Sequence, residues 1–314
     1  VTGDGGAGDG AAVLDAATER AGVLLEALPY IQRFRGAVVV VKYGGNAMID
    51  PELGRQVAAD VVLLRAVGLR PVVVHGGGPQ ISDLMSRLGK EPEFRDGLRV
   101  TDAETVDIAR MVLVGKVNRD IVSAINVHGP HAVGLSGEDA GLLVASARNA
   151  ELGYVGDVES VNATILERLL AEDLIPVVST IGSDLTGQAY NINADTVAGA
   201  IAVALDAEKA IFLTDVPGLL TDVSDPASLV SAASASEIQA MVDGGRLAGG
   251  MIPKVAAAVH AVRHGVRSAH LLDGRVAHVV LLELFSDQGI GTMITADESA
   301  RAEAGAAGPD GRTA

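Results

Sequence analysis

Along this chain, apolar residues gather into short unbroken runs that stop abruptly at a charge or at paired glycines. The clearest is Val38-Val39-Val40-Val41-Lys42-Tyr43-Gly44-Gly45, and the device returns at Val72-Val73-Val74-His75-Gly76-Gly77-Gly78. Continuous apolar runs of this length predict strands buried on both faces, as in a parallel sheet covered by helices. Strands are expected at 37–42, 71–75, 131–135, 175–180, 210–214, 269–272 and 277–284. Helical spacing falls near 52–67, 78–88, 102–126, 163–171, 194–205, 234–243 and 251–264. Strand–helix alternation predicts an α/β fold, a three-layer αβα sandwich about a central, mainly parallel sheet.

Ahead of the first strand, Leu14, Ala17, Ala21, Leu24, Leu28 and Ile31 recur at helical spacing, so residues 11–35 read as a helix that Pro29 should kink or break. Such an arm either packs on its own domain or docks on another subunit. Residues 1–10 and 297–314, rich in Gly, Ala and charge, are expected to be disordered. Gly153–Val158 looks hairpin-like, and a weak boundary near 184–190 divides the folded part into an N-lobe, 36–185, and a C-lobe, 186–296.

Composition narrows the function classes. The net charge of −16, with no compensating basic stretch, argues against nucleic acid. Cysteine is absent, which excludes disulfides and thiolate metal sites. No apolar run is long enough to span a membrane, and the first residues lack a signal-peptide pattern, so a cytoplasmic protein is expected. The match Gly3-x-Gly5-x-x-Gly8 has the form of a dinucleotide fingerprint, but no strand precedes it. An NAD-dependent dehydrogenase is rejected on that ground. Asn162-Ala163-Thr164 is read as a chance sequon.

Candidate chemistry concentrates at the ends of the predicted strands. A charge is costly within a buried strand, so Lys42 should project from its carboxyl end into a polar site. Gly44 and Gly45 let the backbone approach a ligand closely. Gly76, Gly77 and Gly78 lead into a helix, where N–H groups and the macrodipole favour an anion. Arg99, between apolar neighbours in Gly97-Leu98-Arg99-Val100-Thr101, is suited to clamping a carboxylate. Asn191 and Asn193 alternate on an extended segment, after which Asp195 enters a helix that Asn193 caps. Thr214-Asp215-Val216-Pro217-Gly218 follows an apolar strand and either meets a nucleotide or makes a bare turn. Lys254, after Gly249 and Gly250, is a second lysine beside glycines. Two lysines, glycine N–H groups and a carboxylate that holds the lysines together suit phosphoryl transfer, which depends on positioning and charge stabilisation.

Taken together, these motifs resemble the amino acid kinase superfamily over about residues 36–295, and within it the branch acting on N-acetyl-L-glutamate. The resemblance implies ATP-dependent phosphorylation of the substrate γ-carboxylate to an acyl phosphate, in arginine biosynthesis. Lys42 and Lys254 would stabilise the transition state, and Asp195 would orient them. Gly44, Gly45 and Gly77 would contact the phosphoryl group or its acceptor. Gly77, Gly78 and Arg99 of an N-lobe that also dimerises, with Asn191 just beyond its boundary, would bind N-acetyl-L-glutamate. Thr214, Asp215 and Gly218 would line the ATP site in the C-lobe, with Mg²⁺ carried mainly by the phosphates and no protein metal cage.

The ends resemble those of arginine-inhibited members. Residues 11–35 would interlace dimers into a homohexamer, and His270, Glu283 and Gly289 would bind L-arginine as inhibitor. Relatives acting on glutamate or aspartate differ at the Gly97–Thr101 loop. A catalytically dead arginine sensor would lack a lysine or Asp195, and all three are present.

Overall fold

A computed structural model describes residues 7–297, apart from 96, 223, 224, 248, 287 and 288. In chain order the elements are α1 (Ala7–Phe34), β1 (Val38–Tyr43), α2 (Pro51–Ala66), β2 (Arg70–His75), α3 (Gly78–Arg87), β3 (Phe94–Arg95), β4 (Leu98–Arg99) and α4 (Ala103–Arg110). A π-helical turn, Met111–Val117, leads into α5 (Asn118–Asn126), followed by β5 (Ala132–Ser136), β6 (Leu143–Ala147), β7 (Val155–Val161), α6 (Thr164–Ala171) and β8 (Ile175–Ser179). Then come β9 (Ile181–Ser183), β10 (Ala189–Ile192), α7 (Ala194–Ala204), β11 (Lys209–Thr214), β12 (Ala232–Ser234) and α8 (Ala235–Asp243). The chain closes with α9 (Met251–Arg263), β13 (Ser268–Asp273), α10 (Val279–Leu284) and β14 (Thr292–Thr295).

One eight-stranded sheet, in the order β12-β14-β13-β11-β1-β2-β8-β5, runs through the molecule. Its pairings are parallel except β13 with β14. Side chains alternate across a strand, and β1 shows the consequence. Val40 faces α7 and α9, in a core with Phe212 and Ile201. Val39 and Val41 face α2, α5 and α10, in a core with Leu64 and Leu213. Burying each such valine contributes roughly 1.5–3 kcal/mol. The same alternation turns Lys42 to the α7 side and Tyr43 to the α2 side.

A small barrel of β10, β7, β6 and β9 and the hairpin β3–β4 sit beside the sheet's carboxyl ends. Residues 184–188 are the tight turn of the β9–β10 hairpin, where Asp184 Oδ1 accepts from Thr186 and Gln188 N–H at 2.8 and 3.0 Å.

Three expectations need correction. Residues 277–284 contain helix α10 and not a strand; Val279, Val280 and Leu284 are buried while Leu282 is exposed. A short apolar run does not distinguish a buried strand from one buried turn of helix. Helix α1 starts at Ala7, so residues 7–10 of the segment expected to be disordered are helical; residues 1–6 lie outside the described residues, as do 298–314. Pro29 does not break α1, which runs through it to Phe34.

Candidate active site

Lys42 and Asp195 approach from neighbouring elements because of local capping. Asn193 caps α7, its Oδ1 accepting from the N–H groups of Asp195 and Thr196 at 2.8 and 3.2 Å. That cap places Asp195 in the first turn, beside the carboxyl end of β1. Lys42 Nζ stands 3.1 Å from Asp195 Oδ1, and Lys254 Nζ donates to Oδ2 at 3.0 Å. Among the described residues Oδ1 accepts no well-aligned hydrogen bond, so the first contact acts chiefly as an ion pair. Lys254 arrives from the first turn of α9, a position where Pro253 is tolerated.

Electrostatics follow from burial. Burial lowers the pKa of Lys42 from the usual lysine value; the Lys254 charge adds to this and Asp195 opposes it. Burial would raise Asp195, but the two lysines outweigh it and hold the carboxyl below its usual range. The result is a carboxylate held between two ammonium groups, with Lys254 the more accessible.

Glycines keep the space beside these charges open. A Cβ on Gly44 would lie 2.6 Å from Lys42 Nζ. Gly45 has φ +69°, and a Cβ there would meet Asp215 Oδ1 at 2.4 Å. Gly77 is closed from the other side, where a Cβ would lie 2.7 Å from Leu113 Cδ2 on the π-helical turn.

Arg99, at the end of β4, is buried. Its Nη2 donates to Gly78 O and to Ser82 Oγ, each at 2.8 Å, and its guanidinium stands 4.7 Å from the Phe94 ring centre. Among the described residues no carboxylate pairs with it. This buried cation is therefore held by neutral groups, an arrangement that suits an anionic ligand.

Lys42, Gly44, Gly45, Gly77, Gly78, Arg99, Asn191, Asp195 and Lys254 all line one cavity of about 270 Å³. The structure thus gathers the sequence-nominated catalytic and substrate residues. A larger cavity of about 350 Å³, between α2 and α5, lacks this lysine–aspartate set.

The nominated nucleotide residues are arranged differently. Asp215 follows β11 and comes up against Gly45, as above. Thr214 is buried and spends its hydroxyl on Val216 O at 2.7 Å. Gly218 packs on Thr292, whose Oγ1 would lie 2.6 Å from a Cβ there. None of the three lines the 270 Å³ cavity.

The third nominated group also assembles. His270 Nδ1 is 2.7 Å from Glu283 Oε1, and Ile290 N–H donates to Glu283 Oε2 at 3.1 Å. A Cβ on Gly289 would lie 3.9 Å from both Glu283 oxygens. Sequence reasoning missed Lys209 and Ser268, whose Nζ and Oγ reach His270 Nε2 at 2.9 and 2.8 Å. The register that pairs Lys209 with Ser268 brings them together, and no local motif signals it. Ser82, Phe94 and Leu113 were missed for the same reason.

Residues 37–273 match the amino acid kinase family. An acetylglutamate kinase of Saccharopolyspora erythraea is 57% identical over 90% of this chain and 94% of its own. One from Methanocaldococcus jannaschii is 51% identical, covering 89% and 97%. Among solved structures, N-acetylglutamate synthase from Neisseria gonorrhoeae, complexed with coenzyme A and N-acetyl-glutamate, superposes with a TM-score of 0.78 at 27% identity. That match covers 88% of this chain and 63% of the synthase, so this chain spans less than two thirds of it. Carbamate kinase from Giardia lamblia bound to AMP-PNP shares the fold, with a TM-score of 0.64 at 18% identity, covering 83% of this chain and 99% of that one. This chain belongs to the amino acid kinase family, among its acetylglutamate kinases.

Proposed function

We propose that the chain transfers the γ-phosphoryl group of ATP to the γ-carboxylate of N-acetyl-L-glutamate, giving N-acetyl-L-glutamyl 5-phosphate for arginine biosynthesis. The observation that carries this reading is the Lys42–Asp195–Lys254 clamp opening onto the same cavity as Arg99.

Arg99 holds the substrate α-carboxylate, and Asn191 and the Gly77–Gly78 backbone position the rest. One γ-carboxylate oxygen attacks the γ-phosphorus in line as the bond to the β-phosphate bridging oxygen breaks. No covalent enzyme intermediate forms. Lys42 and Lys254 neutralise charge on the transferring group, while Asp195 keeps the two cations from repelling each other out of place. Gly44, Gly45 and Gly77 leave room for phosphoryl oxygens and supply N–H donors. Asp215, with Thr214 and Gly218 behind it, borders the nucleotide. The cationic groups at the cavity are lysines and an arginine, donors that suit phosphate oxygens and not a metal ion, so Mg²⁺ enters on the ATP phosphates.

The N-lobe, 36–185, holds acetylglutamate and dimerises; the C-lobe, 186–296, holds ATP and the inhibitor. L-arginine binds at His270, Glu283 and Gly289, its cationic end on Glu283. Phe34, at the end of α1, stacks 5.5 Å from Lys209 Nζ, which links that cluster to the arm. Leu14, Val23, Leu24, Leu25 and Leu28 are exposed along α1, which supports its docking on another copy in a hexamer. The cytoplasm is the compartment this reading assigns.

Hydroxylamine trapping of the acyl phosphate tests the reading. Product is expected from N-acetyl-L-glutamate and not from glutamate, with L-arginine suppressing it. No product from either substrate in Mg-ATP overturns it; arginine-insensitive product overturns the regulatory part alone.

A further inference from the structure

His75 ends β2, is completely buried, and takes no part in the chemistry above. Its ring is nevertheless wired at both nitrogens. Nδ1 is 2.9 Å from Gly76 O, and Nε2 is 3.1 Å from Asn118 Nδ2. That Asn118 nitrogen also donates to Val177 O at 2.8 Å, and the Arg119 guanidinium donates to Asn118 Oδ1.

The chain of donors fixes the tautomer. Arg119 donates only, so Asn118 must present its oxygen there and its NH₂ to His75. His75 Nε2 therefore accepts, and Nδ1 carries the proton that it donates to Gly76 O. Burial and the Arg119 charge keep the ring neutral, with its pKa down at about 4.

Gly76 C=O and Gly77 N–H belong to one planar, trans peptide unit, so they point in opposite directions. Holding the oxygen on His75 turns the N–H away from His75. Without such a tie the peptide between two glycines turns easily, since neither residue carries a Cβ to restrict it. Gly76, Gly77 and Gly78 line the lysine cavity. The π-helical turn completes the device: Leu113 and Val117 pack against Gly77, and Asn118 follows directly.

We infer that His75 is a positioning residue: with Asn118 and Arg119 behind it, it locks the Gly76–Gly77 peptide so that Gly77 N–H faces the transferring phosphoryl group or its acceptor oxygen. This rests on the reaction proposed above. An N–H already aimed at developing charge lowers the barrier without reorganisation.

The test compares His75→Leu with His75→Asn, whose side-chain NH₂ can take the place of Nδ1–H. The expected result is a kcat loss of roughly 100-fold in His75→Leu, with the acetylglutamate KM within about threefold. His75→Asn should recover roughly tenfold or more of it. Asn118→Leu should lose kcat as well, and the double Leu variant should be no worse than His75→Leu alone. Wild-type kcat in a folded His75→Leu protein overturns the inference, as does equal loss in His75→Leu and His75→Asn. Nitrogen NMR of histidine-labelled wild type needs no turnover. It should show His75 neutral, protonated on Nδ1, and not titrating from about pH 6 to about pH 9. The other tautomer, or a titrating ring, overturns the inference. If the wild type makes no acyl phosphate from acetylglutamate, the reaction assignment fails, and the NMR result reports on the His75 geometry separately.

Discussion

Lys254 and Asp195, 59 residues apart in sequence, meet at 3.0 Å because Gly199 lets helix α9 press against α7. A Cβ on Gly199 would stand 3.0 Å from Ala257 O, closer than ordinary van der Waals contact with the α9 backbone. Asp195 lies one turn before Gly199 and Lys254 one turn before Ala257. The two helices therefore start together, and their first turns carry the ion pair to the end of β1.

Replacing Asp195 by Asn keeps the shape and removes the charge. Two lysines then face each other without a counter-ion at a buried site. Breaking a buried pair in this way costs about 3 kcal/mol or more in stability, and ATP-borne charge recovers only part of it. The expected kcat loss is roughly 10²–10³-fold, since both lysines lose their placement. Hydroxamate kinetics and thermal melting check it; wild-type kcat in a folded Asp195→Asn protein would contradict the clamp.

The clamp also predicts the pH profile. Lys42 in the folded enzyme titrates below its ordinary 10.5. Between the folded and unfolded values the unfolded chain binds the extra proton. Stability of the free enzyme attributable to Lys42 therefore rises with pH through that window, while activity falls as the charge is lost. Asp195 behaves in the opposite sense: its contribution to stability is full above the ordinary carboxyl value of 3.8 and is lost as pH falls through its depressed one. The alkaline limb of kcat/KM should have a midpoint below 10.5, with no acid limb from Asp195 down to its usual range. A profile flat to pH 10.5 would refute the assignment of Lys42.

Much of this site could be read from the sequence because its parts are local. A lysine that ends a four-valine strand, glycines before a helix, and an Asn-x-Asp cap each carry their meaning within a few residues. The sheet's middle was legible for the same reason. The barrel strands β6 and β9 were not, since their short segments are stabilised by barrel closure and not by an apolar run, and β10 showed only as the extended segment about Asn191. Helix α10 was misread because four apolar residues, Val279 to Leu282, fit either period. Lys209 and Ser268 were invisible: strand register places them beside His270, and register is a tertiary fact.

Arg99 has a separable role. It is buried among neutral partners, so on the proposed reading, in which it grips the substrate α-carboxylate, losing it removes a charge-assisted bond and leaves the lysines alone. Such bonds contribute about 1.5–3 kcal/mol, so Arg99→Gln should raise the acetylglutamate KM roughly 10–100-fold with little change in the ATP KM. Arg99→Lys should recover little, because a single ammonium cannot reproduce the planar fork over Phe94. Initial rates with each substrate varied in turn decide it; equal rises in both KM values would argue against a substrate clamp.

The apolar face of α1 makes the last prediction. Leu24 and Leu25 are 71% and 67% exposed, and Leu28 is 43% exposed. A helix of this kind is poorly stabilised by its own propensity, and apolar residues grouped on an exposed helix face favour association. Leu24→Asp with Leu28→Asp places charges where a second copy would dock. Sedimentation equilibrium should show a hexamer for the native chain and a dimer for the double variant, because the sheet core is untouched. Arginine inhibition should weaken at least about tenfold, since Phe34 ties the arm to Lys209 and through it to His270. A native chain that sediments as a dimer, or a variant that stays hexameric, would refute the arm as the contact between dimers.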